Sequence, residues 1–363
     1  MGGHNTDSIF KNREVLLPNF IPFNMSQRAD ELETINRIIN ESMEGKITNV
    51  LISGPPGSGK TASIKLIFGK LKDQYNALFC YINCFNKSTR MGVLYAMVIE
   101  FYKKVRPTRK MPSRRGIAYD ELLDSFKTEL EKNNLKIVVC LDEIDKLEEA
   151  EIIYDLTTPT WNSSRIQIIG ISNNPLIFKK LDPRTKSRLF PVEEIYFNPY
   201  TQEELKTIIK AKVEEAFKEG VVEKEVIDFL AKYTFEKKGD VRIVKQTLLC
   251  SGDLAINLDD KRVELCHVKE KLNRTSHAKS IRLINELSQH EQFILKLIPN
   301  QGTYYPKLYD FYKSTDGKLG DRMFRNYIER FYKLKLINIE KKGVGGSYFI
   351  TLNTPKNVLF EIS

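Results

Sequence analysis

The first 200 residues alternate between short apolar runs and stretches in which apolar residues recur every three or four positions. The runs are apolar at nearly every position, which is typical of strands buried on both faces of a parallel sheet. The predicted strands are Val50–Ile52, Ala77–Asn83, Lys136–Leu141 and Arg165–Ser172, and the predicted helices are about Gln27–Met43, Ala62–Lys72, Met91–Val105 and Tyr119–Lys132. Strands alternating with helices predict a doubly wound α/β domain that ends near Tyr200.

Beyond Tyr200 the pattern is helical and contains no convincing strand. Thr201 and Glu204 form a capping-box signature, which predicts a helix that runs to about Lys218. Further helical periodicity follows to about residue 272. We therefore expect a small helical domain and then a polar linker at Asn273–Lys279.

The pattern changes again in the last part of the chain. Several helices, the strongest at Asp321–Leu334, are followed by two predicted strands, Leu336–Ile339 and Tyr348–Leu352, around a GVGG turn. Helices followed by a β-hairpin are typical of a winged helix, a variant of the helix-turn-helix. The predicted domains are thus residues 1–200, 201–273 and 277–363.

The net positive charge of the chain bears on the kind of molecule that the protein binds. The 363 residues carry a formal net charge of +10, and residues 277–363 hold 14 lysines and arginines against 8 aspartates and glutamates. A polyanionic partner and a merely solvated basic face both account for such an excess. Lys103–Arg115 has seven basic residues in thirteen, and is either a loop that touches phosphate backbone or a solvated linker.

Other classes of protein are disfavoured. No segment approaches ~18 continuous apolar residues, and the N-terminus lacks the apolar core of a signal peptide. The five cysteines form no paired C-x-x-C pattern, so we expect neither a disulfide framework nor a zinc site. These features predict a soluble cytoplasmic protein with no membrane partner.

A phosphate-binding loop lies between a predicted strand and a predicted helix. The motif G-x-x-x-x-G-K-[ST] spans Gly54–Thr61 in that setting. Its backbone N–H groups and the helix N-terminus favour an anion, Lys60 can reach the β- and γ-phosphates, and the Thr61 hydroxyl can ligate Mg²⁺. The predicted phosphate-site residues are Gly54, Pro55, Pro56, Gly57, Ser58, Gly59, Lys60, Thr61 and Ala62.

Polar residues follow two later strands. Asp142 and Glu143 end the run KIVVCLDE, at the sheet edge where α/β proteins bind ligands. Asp142 can hold Mg²⁺ through water, and Glu143 can orient or deprotonate the attacking water. Asn173 follows the next strand, where its amide either contacts that water or the γ-phosphate, or simply forms a turn.

These motifs together resemble a known family. The phosphate loop, the acidic pair, Asn173 and the sequence GDVR at Gly239–Arg242 are similar to AAA+ ATPases. The arm IFKNREVLLPNFIP at residues 9–22, the turn containing Arg28, FNPY at residues 197–200 and the C-terminal winged helix resemble archaeal replication initiators. Those initiators are related to the origin recognition complex and to the Cdc-six helicase loader. The resemblance covers essentially the whole chain and implies an AAA+ domain with a helical lid, followed by a winged helix.

The resemblance also implies roles for individual residues. Asn173 matches the first sensor, and Arg242 matches the second, whose guanidinium reaches the γ-phosphate from the lid. Arg28, the arm and Tyr200 correspond to the adenine pocket. The segment LDPRTKSRLF at residues 181–190 matches the place from which an arginine reaches a neighbouring subunit's nucleotide, with Arg188 preferred to Arg184.

The C-terminal domain carries the expected DNA contacts. On the expected recognition helix, Arg and Asn suit base edges, and lysines at the wing can hold phosphate or enter the minor groove. The candidate residues are Arg322, Arg325, Asn326, Arg330, Lys341 and Lys342. GVGG at the wing tip departs from relatives, which usually carry arginine there. The family's additional DNA-contacting helix corresponds to Met91–Val105.

The expected function is a replication initiator that binds double-stranded origin DNA under the control of ATP or ADP and Mg²⁺. Slow ATP hydrolysis would act as a switch, and the partners would be a replicative helicase and other initiator subunits at the nucleoid. Two alternatives remain open at this point. One is a helicase- or clamp-loader-type ATPase whose partners are mainly proteins, and the other is a winged-helix transcription regulator with a nucleotide switch.

Overall fold

A computed structural model describes residues 9–106, 116–157, 166–177, 182–341, 348–353 and 356, without the side chains of residues 277–279. Contacts divide the chain into two compact units, with the boundary between Leu265 and Cys266. Most of the basic stretch Lys103–Arg115, Lys342 and the GVGG turn lie outside the described residues.

The first unit is built on a sheet of five parallel strands in the order β2-β3-β4-β1-β5. The strands are β1 (Asn49–Ser53), β2 (Ala77–Asn83), β3 (Lys136–Asp142), β4 (Ile166–Ser172) and β5 (Val192–Tyr196). Ser53 pairs with Ser172, and Asn83 pairs with Asp142. The carboxyl ends of β1 to β4 therefore lie along one edge, which brings the phosphate loop and the acidic pair together.

Helices cover both faces of this sheet. They are α1 (Ala29–Glu44), α2 (Lys60–Leu71), α3 (Arg90–Val105), α4 (Tyr119–Lys132), α5 (Glu151–Thr157) and α6 (Pro183–Leu189). In β3, Val139 packs in the core formed with α3 to α5, whereas Val138 packs in the core formed with α1 and α2. Because successive side chains point to opposite faces, a strand buried on both must be apolar throughout. The parallel α/β prediction is confirmed.

Strand β5 and the short helices α5 and α6 were not predicted. Among the strands of the described residues, β5 lies at the edge of the sheet and pairs with β1. Of its residues only Ile195 is buried, and Glu193 and Glu194 interrupt the apolar pattern. An edge strand needs no continuous apolar run, so the pattern that revealed the central strands does not detect it.

Three helices follow in the first unit: α7 (Gln202–Ala216), α8 (Lys224–Glu236) and α9 (Val241–Asn257). The predicted capping box at the start of α7 is confirmed, because the Thr201 hydroxyl accepts a hydrogen bond from the Glu204 N–H at 3.2 Å. The N-terminal arm packs on these helices. The Phe10 ring stacks on Phe217 with centroids 4.7 Å apart, and the Lys11 N–H donates to the Ala216 carbonyl at 2.8 Å.

The linker predicted at Asn273–Lys279 is wrong. Helix α10 (Leu265–Asn285) runs through these residues without interruption. The prediction rested on polar composition, which suits an exposed helix equally well. An ion pair between Arg274 and Glu270, four residues apart, supports the helix here.

The second unit contains α10, α11 (Gln289–Leu297), α12 (Tyr305–Ser314) and α13 (Asp321–Lys333). The strands β6 (Thr303–Tyr304), β7 (Ile337–Lys341) and β8 (Tyr348–Leu352) form an antiparallel sheet in the order β6-β8-β7. Phe324, Ile328 and Phe331 of α13 are buried in its core. Across the described parts of both units, none of the helices has the length and apolarity to cross a membrane.

Candidate nucleotide site

The phosphate loop connects β1 to α2 and depends on its glycines. Gly54, Gly57 and Gly59 have φ angles of 148°, 76° and 98°, which favour glycine. A Cβ on Gly57 would lie 2.1 Å from Oδ1 of Asp240, and one on Gly59 would lie 2.8 Å from the Tyr200 hydroxyl oxygen. The loop is therefore closely enclosed, and only glycine leaves room for its neighbours.

Lys60, the first residue of α2, lies at the centre of the site with 6% of its surface exposed. Its Nζ donates hydrogen bonds to the carbonyls of Gly54 at 2.7 Å and Pro55 at 2.8 Å, and to Oδ1 of Asn173 at 3.0 Å. Burial lowers the pKa of Lys60 to about 8, the Asp142 carboxylate opposes this, and the positive charge of Arg242 adds to it. The structure thus brings Lys60 and Asn173 together as predicted.

Asp142, at the end of β3, has a fully defined orientation. Its Oδ2 accepts hydrogen bonds from the hydroxyls of Thr61 at 2.7 Å and Tyr81 at 2.6 Å, and its Oδ1 accepts the Glu143 N–H at 2.9 Å. The Thr61 hydroxyl donates its proton in this bond, so its lone pairs remain able to ligate a cation. The donor set therefore fits Mg²⁺ bound by Thr61, by phosphate oxygens and, through water, by Asp142.

The described residues contain no cluster of three or more His, Cys, Asp and Glu side chains that would hold a metal by itself.

Glu143 follows Asp142 in a left-handed backbone conformation, with φ 54° and ψ 46°. Few non-glycine residues adopt this conformation. The half-buried side chain lines the same cleft as Lys60 and Thr61. Asp145, two residues on, accepts a hydrogen bond from the Ser172 hydroxyl at 2.8 Å, which ties this turn to the end of β4.

Arg28 is 4% exposed and most of its donors are used within the protein. It donates to the carbonyls of Ser58 at 3.0 Å and Asn198 at 2.5 Å, and to Glu31 at 2.8 Å. Its guanidinium carbon lies 4.0 Å from the centroid of the Tyr200 ring. Arg28 and Tyr200 therefore form one wall of the site, and Arg28 connects the phosphate loop to α1 and to residues 197–200.

These residues line a cleft of about 540 Å³. Twelve predicted site residues lie in its wall: Arg28, Pro56, Gly57, Gly59, Lys60, Thr61, Ala62, Asp142, Glu143, Asn173, Tyr200 and Arg242. Gly54, Pro55 and Ser58 lie in the loop without lining the cleft, although the first two accept the hydrogen bonds of Lys60.

Several residues of the cleft were not predicted individually. Lys212 on α7 pairs with Glu215 at 2.7 Å, and its Nζ lies 5.2 Å from the ring centroid of Phe20. Lys245 also lines the cleft, one helical turn after Arg242, and burial followed by the charge of Lys212 lowers its pKa. Its spacing from Arg242 on one helix face is a signal that the sequence already contained.

Arg242 lies in the first turn of α9 with its side chain 69% exposed. Its Nε donates to Oδ1 of Asp240 at 2.8 Å, and its Nη2 donates to Oδ2 at 2.6 Å. Asp240 also caps α9 by accepting the Arg242 N–H at 3.0 Å. The helical part of the unit thus presents a guanidinium to the cleft beside the phosphate loop.

The two arginines considered for action on a neighbouring subunit lie outside this wall. Arg188 on α6 is half-buried, with its guanidinium carbon 5.4 Å from the ring centroid of Tyr154. Arg184 is exposed in the first turn of the same helix. Neither lines the cleft of its own chain, and the role of either in a second chain stays a prediction.

The candidate DNA-binding residues of α13 lie on the face opposite its buried side chains. Arg322, Arg325, Asn326 and Arg330 are all exposed. Arg325 pairs with Asp321 at 3.2 Å, and Arg330 pairs with the buried Glu291 at 2.7 Å. Lys341 is exposed at the end of β7, whereas Lys342 lies outside the described residues.

Two family models match the chain: the AAA domain over residues 46–175 and the Cdc6 AAA+ ATPase-type lid domain over residues 206–271. The ORC1-type DNA replication protein 1 of Archaeoglobus fulgidus is 30% identical over 375 residues, covering 97% of this chain and 90% of that relative. The ORC1-type DNA replication protein 3 of Haloarcula marismortui is 27% identical over 369 residues, covering 98% and 96%.

Solved structures agree on the fold. The Aeropyrum pernix ORC1 protein, solved in complex with DNA, is similar with a TM-score of 0.67 and 24% identity, covering 97% of this chain and 95% of that one. Cdc6p from Pyrobaculum aerophilum gives a TM-score of 0.64 at 18% identity, with 98% of both chains covered. The predicted AAA+ fold with a helical lid is confirmed. The chain belongs to the archaeal family of ORC1-type DNA replication proteins.

Proposed function

We propose that this protein is a replication initiator that binds ATP with Mg²⁺ at the cleft, hydrolyses it slowly and binds origin DNA according to the bound nucleotide. The observation that carries the ATPase part is the convergence of Lys60, Asp142, Glu143 and Asn173 at one edge of the sheet. Residues from three strand ends meet there as phosphoryl-transfer chemistry requires.

Each side chain has a distinct task in the proposed reaction. Lys60 and the loop N–H groups hold the β- and γ-phosphates, while Thr61 and Asp142 hold the cation. Bound Mg²⁺ neutralises charge that develops on the phosphate oxygens. Glu143 orients or deprotonates the attacking water, and Asn173, already bonded to Lys60 at 3.0 Å, contacts the water or the γ-phosphate.

The assignment of Glu143 is tested by Glu143→Gln. The amide keeps the size of the side chain but cannot accept the proton, so turnover should fall roughly 100- to 10,000-fold while ATP binding is retained. Single-turnover hydrolysis and ATP titration measure the two quantities. Glu148→Gln, at an exposed position five residues on, is the matched control and should behave as the wild type. Normal turnover in Glu143→Gln would exclude Glu143 as the base.

The helical lid offers a way for the bound nucleotide to change the conformation of the protein. Arg242 is carried by α9, whose first turn lies against Gly57 of the phosphate loop through Asp240. A cation on a lid helix responds to whether a γ-phosphate is present, so hydrolysis alters the contact between the lid and the loop. We propose that this response is a switch rather than a source of work.

DNA binding is assigned to the second unit, which we propose is a winged helix. The order of its helices and strands is typical of that domain, and exposed Arg322, Arg325 and Asn326 lie on α13 away from the core. The relatives' names refer to DNA replication, and the similar Aeropyrum pernix ORC1 protein was solved with DNA. Helicase loading, association with other initiator subunits and a place at the nucleoid in the cytoplasm belong to the same proposal.

Genome-wide mapping of bound DNA, together with footprinting on the purified protein, tests the DNA part. We expect protected sites at replication starts, with protection that differs between ATP and ADP. Protection at promoters alone would favour a transcription regulator. ATPase activity without any protected site, together with a stable protein complex, would favour a loader that acts mainly on proteins.

A further inference from the structure

We infer that Tyr81 is a positioning residue for the cation site, and that its hydroxyl holds the Asp142 carboxylate in the orientation that accepts Mg²⁺ through water. This inference rests on the proposed ATPase function. Tyr81 lies in β2, outside the phosphate loop, the acidic pair and the sensors, and its hydroxyl oxygen is 2.6 Å from Oδ2 of Asp142.

The sheet explains why a tyrosine reaches this carboxylate. Tyr81 is paired with Cys140, and Asp142 is two residues further along β3. Residues two apart on one strand share a face, so Tyr81 and Asp142 are diagonal neighbours on the face that packs against α1 and α2. A diagonal separation is within reach of long aromatic side chains, and the phenol places its oxygen at the carboxylate.

The hydrogen bonds of Asp142 determine which of its lone pairs can accept a further donor. A carboxylate offers about four lone-pair positions. Tyr81 and Thr61 occupy two on Oδ2, and the Glu143 N–H occupies one on Oδ1. The remaining position, on Oδ1, can accept a hydrogen bond from a water of the Mg²⁺ shell. Rotation of the carboxylate would break both hydroxyl contacts, so the three donors fix that position.

Tyr81 is held as a proton donor. The Lys65 ammonium lies 4.3 Å from the ring centroid and fixes the ring by a cation–π contact. An ionised carboxylate only accepts hydrogen bonds, so the phenol hydroxyl is the donor in this contact.

The test is Tyr81→Phe, which removes only the oxygen. Partners that orient metal ligands typically contribute about 10- to 100-fold to metal affinity. We expect the Mg²⁺ concentration for half-maximal ATP hydrolysis to rise within that range, while ATP binding in EDTA and turnover at saturating Mg²⁺ stay near wild type. A residue that only supports the fold would lower turnover at every Mg²⁺ concentration.

Tyr75→Phe is the matched control, because its hydroxyl also donates within the first unit, to Oδ1 of Asn40 at 3.1 Å, away from the cleft. An unchanged Mg²⁺ dependence in Tyr81→Phe, with an active wild type, would overturn the inference and leave the ATPase proposal standing. A wild-type protein that shows no Mg²⁺-dependent ATP hydrolysis would overturn both.

Discussion

Lys60 keeps its charge in a position that solvent hardly reaches. Two backbone carbonyls and the Asn173 amide oxygen replace its water, and an ammonium has three protons to donate. These partners do not fully offset the loss of hydration, so the pKa of Lys60 falls from 10.5 to about 8. A phosphate group would add negative charge beside the Lys60 ammonium and favour its charged form.

This pKa predicts how nucleotide affinity depends on pH. Only the ammonium form attracts phosphate, so the ATP dissociation constant should rise roughly tenfold between about pH 7 and about pH 9. Calorimetric titration across this range measures the effect. Lys60→Ala should bind ATP more than tenfold more weakly at about pH 7, because charge-assisted hydrogen bonds are lost. The ATP dissociation constant of this variant should not change between about pH 7 and about pH 9 through this group. Constant wild-type affinity up to about pH 9 would contradict the assignment.

The same lowered pKa of Lys60 predicts that the stability of the nucleotide-free protein changes with pH in the opposite direction to its ATP affinity. Between pH 8 and 10.5 the unfolded chain keeps a proton on Lys60 that the folded protein has lost. The unfavourable contribution of the buried charge to folding is fully present below pH 8 and is relieved as the pH rises through this window. We therefore expect that, without nucleotide, the free energy of unfolding of the wild type increases relative to that of Lys60→Ala as the pH rises from 8 to 10.5. Denaturant unfolding of both proteins across this pH range measures the difference.

At the scale of elements, the first turn of α9 couples the lid to the phosphate loop. Asp240 caps the helix, holds Arg242 through both carboxylate oxygens and lies against Gly57. A γ-phosphate would compete with Asp240 for the Arg242 guanidinium, whose five donors can also serve both. Under the proposed function, either arrangement would make the position of α9 depend on the third phosphate.

Arg242→Ala should therefore weaken ATP binding by about 10- to 150-fold, the contribution of one hydrogen bond to a charged group, with little effect on ADP. Competition titrations with the two nucleotides measure the ratio of their affinities. Arg262→Ala removes an exposed arginine of the first unit outside the cleft and serves as the control. Equal losses for ATP and ADP would show that Arg242 does not sense the γ-phosphate.

Helix α13 has two chemically distinct faces. Its buried face, with Phe324, Ile328 and Phe331, belongs to the core of the second unit, whereas its exposed face carries arginines and Asn326. Arg330 forms an ion pair with the buried Glu291, so it stabilises the fold of the second unit as well as adding positive charge to its surface. Arg322 and Arg325 are consequently the better positions at which to test DNA contact without disturbing the core.

At the scale of the whole molecule, residues 277–363 of the second unit hold more than half of the net positive charge, whereas the nucleotide site lies in the first unit. The double variant Arg322→Ala/Arg325→Ala should lower DNA affinity and reduce the slope of log affinity against log salt by about 2, since each phosphate contact contributes about 0.9. Fluorescence anisotropy at several salt concentrations measures both, and ATP binding should be unchanged.

The charge-matched control is Lys224→Ala/Lys232→Ala, which removes two exposed lysines of α8 in the first unit. An equal loss of slope in both double variants would mean that net charge, rather than α13, determines DNA affinity. An unchanged slope in the α13 variant would place the DNA-binding surface elsewhere.

Much of the fold could be predicted because strand and helix periodicities are local. Ala77–Asn83 and Tyr119–Lys132 have the bounds that their patterns predict. β5 was not predicted, because an edge strand is not apolar throughout. The polar part of α10 was predicted as a linker, because polar residues form exposed helices as readily as linkers. The site residues that were predicted come from motifs; Tyr81, Lys212 and Lys245 belong to none.

The sequence by itself determined that a phosphate loop follows a buried strand, that acidic residues end a second strand, and that a basic unit lies at the C-terminus. These are properties of neighbouring residues and of their spacing. Only the tertiary structure decided that Tyr81 reaches Asp142 and that Asp240 meets Gly57. Such contacts join residues far apart in the chain, and they depend on strand register and helix packing, which no local pattern specifies.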